Sequence, residues 1–134
     1  MPCLTTVDPD LRTGMVRAIG QVTGADLLRA NKALYADPLW RPGFNEFWDC
    51  TTISEFDVSL DEIKGVAGME IEQQDQIGNG RVALVMTREV VQMMGYLYRQ
   101  LVAEAARSVE VVQTLEDGAV WLGLDAVPDW LAAP

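Results

Sequence analysis

The chain has no histidine, two lysines, two cysteines and no apolar run long enough to span a bilayer. The missing histidine removes the commonest general base, the usual partner of a serine or cysteine nucleophile, and the commonest neutral metal ligand. Cys3 and Cys50 have no CxxC spacing, so neither a zinc site nor a redox pair is indicated, and a reduced pair is expected. Basic side chains are scarce too: 10 against 20 acidic ones, a net charge of −10. A polyanion would meet repulsion, which argues against nucleic-acid binding. The stretch Met1-Pro2-Cys3-Leu4 lacks a basic head and an apolar signal core. A soluble cytoplasmic protein without membrane insertion is expected.

What remains is an ordinary globular composition, 49% hydrophobic over 134 residues, read as a single domain over 1–134. Cys3–Val7 and Gly14–Gly20 flank the turn signal Asp8-Pro9-Asp10 and predict a β-hairpin. Thr23 with Asp26 opens a helix carrying Leu27, Leu28, Ala30, Ala33, Leu34 and Tyr35, which must stop before Asp37-Pro38. Phe44–Cys50, reached through a Pro- and Gly-bearing stretch, reads as an interior strand. Its polar residues Asn45 and Glu46 fall at its start, where a strand can still reach solvent. Ser54–Asp57 reads as a loop.

Ser59-Leu60-Asp61-Glu62 is a capping box. The helix it opens turns polar at Glu70, Glu72, Gln73 and Gln74 and stops at Gly78-Asn79-Gly80. Arg81–Met86 reads as a fully buried strand, and Thr87 as the cap of a long helix over Arg88 to about Arg107, with an apolar face wider than one stripe. Ser108–Thr114 gives the last strand, Thr114 caps a final helix through Leu124, and the tail docks through Trp130 and Leu131. Strand–helix–strand units imply parallel neighbours. The expectation is an α/β fold: a mixed, mostly parallel sheet of about five strands with one antiparallel N-terminal strand, and about four helices.

This order resembles the STAS/SpoIIAA-like fold, and more closely the small bacterial single-domain proteins of that superfamily without an established activity. The resemblance rests on Gly20–Leu28, Asp37-Pro38 with Arg41-Pro42-Gly43, Phe47-Trp48-Asp49, Arg81–Val85 and Ala119–Leu124. These loose, hydrophobic motifs carry fold more than function. In antagonists of the superfamily, a serine in an Asp-Ser-Ser-Gly pattern after the third strand is phosphorylated. The corresponding Asp57-Val58-Ser59-Leu60 keeps the acid and one serine and lacks the second serine and the glycine, so Ser59 is the candidate phospho-switch.

In open α/β sheets, ligands bind beyond the carboxyl ends of strands. That rule marks Asp49, Thr51, Thr52 and Arg88 as a candidate binding mouth, with Thr23, Asp26, Thr87, Thr114 and Asp117 nearby; most of these also serve as helix caps. Met93, Met94, Tyr96 and Tyr98 form a candidate interface on the long helix. No catalytic residues, metal site or cofactor are expected. The function read from the chain is a non-enzymatic regulatory or interaction module with a protein partner or itself as a homodimer. The alternative is a carrier of a small apolar or lipid-like ligand.

Overall fold

The computed structural model describes residues 2–105 and 107–133. Five strands, β1 (Cys3–Asp8), β2 (Thr13–Thr23), β3 (Asn45–Asp57), β4 (Arg81–Val85) and β5 (Ser108–Val112), form one sheet in chain order. β1 is antiparallel to β2; all later neighbours are parallel. Among the described residues there are six helices: α1 (Gly24–Ala36), α2 (Leu60–Glu72), α3 (Gln74–Ile77), α4 (Glu89–Leu101), α5 (Leu115–Trp121) and α6 (Asp129–Ala132), the third and last being single turns.

Capping chemistry starts the helices where expected. Thr23 and Asp26, and Ser59 and Glu62, bond reciprocally, and Thr114 accepts from the Asp117 N–H. The Thr23 N–H and hydroxyl hold the Asp26 carboxyl below its usual range. α4 departs from expectation. Arg88, not Thr87, precedes it without a side-chain cap, and it ends at Leu101, followed by a 3₁₀ turn over Ala103–Ala105. Of the expected continuation to Arg107, Ala106 lies outside the described residues.

The sheet is covered on both faces, as a mainly parallel sheet must be. On one face, Val16, Trp48, Cys50, Val82 and Leu84 pack under Leu27 and Leu34 of α1, Ile63 and Val66 of α2 and Val91 of α4. On the other, Met15, Phe47, Ala83 and Val85 meet Ala119 of α5, Leu122, and Leu131 of α6. The terminal turn docks as expected, with Leu131 buried and the Arg17 guanidinium 5.2 Å over the Trp130 ring.

β3 is longer than the expected Phe44–Cys50 strand. It continues through the presumed loop to Asp57, because β2 extends equally far and pairs with it beyond the end of β4. Two register shifts against β2, between Arg17 and Ile19 and between Gly20 and Gln21, break the alternation there, which hides the strand from a period-two pattern.

Candidate functional site

Glu46 does not reach solvent. It is 1% exposed, on the central strand, and its partners are Trp48 of the same strand, Tyr35 of α1 and Arg107 of the segment before β5. Arg107, in the segment before β5, donates Nη2 to Glu46 Oε2 and Nη1 to Glu70 Oε1, the latter at 3.0 Å. Glu70, expected in a polar helix end, is likewise 1% exposed because α2 turns that position under α4. Tyr35 Oη of α1 lies 2.6 Å from Glu46 Oε2 and 2.9 Å from Glu70 Oε1. Tyr98 Oη of α4 contacts Glu70 Oε2, and Trp48 Nε1 donates to Glu46 Oε1 at 2.9 Å. The Arg107 Nε is buried without a partner among the described residues.

Low dielectric makes this cluster consequential. Burial pushes the Glu70 carboxyl up to about 7 against the opposing pull of Arg107, and the nearby Glu46 charge adds to the rise. Burial and the two carboxylates push both tyrosine hydroxyls well above their ordinary range. Desolvation opposes the charge on Arg107, and Glu46 above all outweighs it and raises the guanidinium further.

Beside the cluster lies a cavity of about 60 Å³ between the sheet and helices α1, α2 and α4. Leu27, Cys50, Ile63, Val66, Leu84 and Met86 wall it, and its half-exposed members Phe56, Met94 and Tyr98 mark its opening. Its polar wall groups are already engaged. Asn31 Nδ2 donates to the Leu27 carbonyl, Trp48 donates to Glu46 and Tyr98 bonds Glu70. Burial pushes the Cys50 thiol far up, so it stays protonated. The space therefore presents carbon and a neutral thiol.

The expected mouth divides. Asp49 is not beyond a strand end; it lies mid-strand on β3, nearly buried, opposite Val85. Alternation turns it to the Phe47 face, away from the cavity. It accepts from the Thr51 N–H at 3.0 Å and hydroxyl at 2.7 Å. Thr52 donates to the Ala18 carbonyl of β2, and Arg88 donates to the Ile53 and Ser54 carbonyls. The Thr52 bond joins β3 to β2, the Asp49 bonds stay within β3, and the Arg88 bonds tie the start of α4 to the far half of β3. The candidate interface divides as well: Met94 and Tyr98 line the cavity, whereas Met93 (67% exposed) and Tyr96 (49%) face outward with Val90.

Ser59 is exposed, with its Oγ accepting from the Glu62 N–H at 3.1 Å. Ser59→Ala is expected to lower stability by about 1 kcal/mol in a urea titration, the usual value of an N-cap. A change below a few tenths would show that the cap is dispensable.

No protein-family model matches the chain, and no curated protein does. Among solved structures, it is similar to an uncharacterised protein of the DUF3478 family from Shewanella loihica PV-4, described as having a SpoIIAA-like fold. The two share 14% identity, the match covers 90% of this chain and 93% of the other, and the TM-score is 0.60. At that identity the likeness speaks to architecture and not to activity. With its antiparallel first strand, parallel remainder and helices on both faces, this chain has a SpoIIAA-like α/β fold.

Proposed function

We propose that this chain is a non-catalytic binding module that takes the apolar end of a small, lipid-like ligand into the cavity between β3–β4 and helices α1, α2 and α4. The observation that carries this reading is the engagement of the polar wall groups elsewhere, which leaves an apolar cavity between the sheet and its helices. An engineered apolar cavity of about 150 Å³ binds benzene. At about 60 Å³ this one suits the end of an alkyl chain, with the remainder leaving past Phe56 and Met94. The thiol held protonated and the absence of histidine favour binding over chemistry.

Trp48 lines the cavity and reports on its occupancy. Native mass spectrometry of gently purified protein is expected to reveal a co-purifying small molecule, and 1-decanol to change Trp48 fluorescence saturably. Val66→Phe, which projects a ring into the cavity, should weaken decanol binding tenfold or more. An empty protein whose fluorescence ignores decanol would remove the basis for this reading.

A second reading has its own observation. Val90, Met93 and Tyr96 leave an apolar stripe exposed on α4, as a module contacting a protein partner or a second copy would. Sedimentation at micromolar concentration tests the self-association arm: a dimer that Met93→Glu dissolves supports it, and a monomer opposes it.

A further inference from the structure

The buried cluster contains more oxygen–oxygen contacts than its phenols have protons. Tyr35 Oη meets Glu46 Oε2 at 2.6 Å and Glu70 Oε1 at 2.9 Å, and Tyr98 Oη meets Glu70 Oε2. Each of these three contacts needs one bridging hydrogen, and two hydroxyls supply two; the longer approach of Tyr35 Oη to Asn31 Oδ1, at 3.4 Å, is left out of the count. The third must ride on a carboxyl. Glu46 is the poor choice. Both its oxygens already accept N–H groups that cannot be turned into acceptors, Trp48 Nε1 on Oε1 and the Arg107 guanidinium on Oε2. Glu70 meets one such group, Arg107 Nη1 at 3.0 Å from Oε1, and none on Oε2; its other contacts are two hydroxyls, each able to accept as well as donate.

We propose that Glu70 is a buried proton site: near neutral pH it carries a proton that completes a chain from Tyr98 to Glu70 to Tyr35 to Glu46, and losing that proton loosens the tie between α2 and α1 beside the cavity. In this chain Tyr98 donates to Glu70 Oε2, the acid proton on Oε1 donates to Tyr35, and Tyr35 donates to Glu46, whose charge Arg107 balances. Releasing the proton leaves two carboxylates against one guanidinium and one contact without hydrogen. The groups facing Glu70 are Tyr35 from α1, Glu46 from β3, Tyr98 from α4 and Arg107 from the segment before β5.

The direction of the pH dependence follows. The folded acid holds its proton to about pH 7, whereas an unburied one releases it near 4.5. Its stabilising contribution is full below pH 4.5, shrinks as pH rises through this window and is gone above it. Over that window the unfolding constant contributed by this group rises roughly a hundredfold or more. Glu70→Gln, which mimics the neutral acid, lacks this dependence.

The test compares urea unfolding of the wild type and Glu70→Gln from pH 5 to pH 9. The wild type is expected to lose stability relative to the variant as pH rises; parallel curves would overturn the proposal. Carbon-13 NMR of the wild-type glutamate carboxyls needs no variant. One resonance titrating near pH 7 supports the proton site, and all of them titrating below about pH 5 refutes it. A further consequence rests on the proposed ligand reading: filling the cavity beside Tyr98 dries Glu70, so 1-decanol should bind several-fold more weakly at pH 8 than at pH 6 in the wild type only. Failure of decanol to bind at any pH counts against the ligand reading alone, because unfolding and NMR decide the proton site independently.

Discussion

Replacing Arg107 with methionine is expected to cost about 3–5 kcal/mol at pH 7, the usual loss when one partner of a buried ion pair is removed. Against a total stability of roughly 5–15 kcal/mol for a domain, that brings the fold close to unfolding. Methionine keeps most of the aliphatic stem. What goes is the charge that neutralises Glu46 and the donors that reach Glu46, Glu70, Tyr35 and Tyr98. Without the cation that opposes it, burial disfavours ionised Glu70 still more, so the lesion should be smaller at pH 5 than at pH 8. Adding Glu46→Gln and Glu70→Gln to Arg107→Met should restore much of the loss, because removing all the charges leaves none stranded. Urea unfolding followed by tryptophan fluorescence reads all three effects. A loss under about 1 kcal/mol for the single variant would mean that the cluster is solvated and its burial irrelevant.

The same cluster explains where local reading of the chain succeeds and where it stops. Helix starts are written locally: a hydroxyl and an acid three residues apart make the capping boxes at Thr23 and Ser59 visible without any knowledge of the rest of the fold. The hairpin, the parallel remainder of the sheet and the buried β4 follow from turn residues and apolar runs in the same way. Glu46, Glu70 and Arg107 have no such local mark. Arg107 lies 61 positions from Glu46 and 37 from Glu70, and each residue in its own window looks like ordinary polar surface. One signal was available. A glutamate between Phe44 and Phe47, in a strand flanked by helices, has to be buried with a counter-charge, and a buried carboxylate needs a cation from somewhere distant. The far half of β3 is obscure for another reason: its register shifts scramble the alternation, and beyond β4 it has β2 alone as a neighbour, so Thr52, Ser54 and Glu55 can stay exposed.

The second large effect is expected at Gly78, which bears no charge yet fixes where Glu46 sits. Gly78 has φ +83°, and a Cβ there would lie 2.1 Å from the Gly43 backbone nitrogen and 2.8 Å from its Cα. The Gly43 N–H in turn bonds the Ile77 carbonyl at 3.0 Å, so the turn after α3 is clamped onto the residues that lead into β3. Gly78→Ala therefore adds two costs. The left-handed backbone is strained by about 1 kcal/mol or more, and one of two backbone segments must move. A total loss of about 3 kcal/mol or more is expected. Gly123 provides the control. Its φ is +73°, but a Cβ would meet nothing within 4 Å, so Gly123→Ala should show the backbone strain alone, about 1 kcal/mol. Since Gly43 stands three residues before Glu46, displacing it also shifts the carboxylate against Arg107. Gly78→Ala and Arg107→Met should then cost less together than their sum, because the second lesion acts on a pair the first has already loosened. Equal losses for Gly78→Ala and Gly123→Ala would show that the Gly43 segment gives way freely, and strict additivity with Arg107→Met would separate the clamp from the buried cluster.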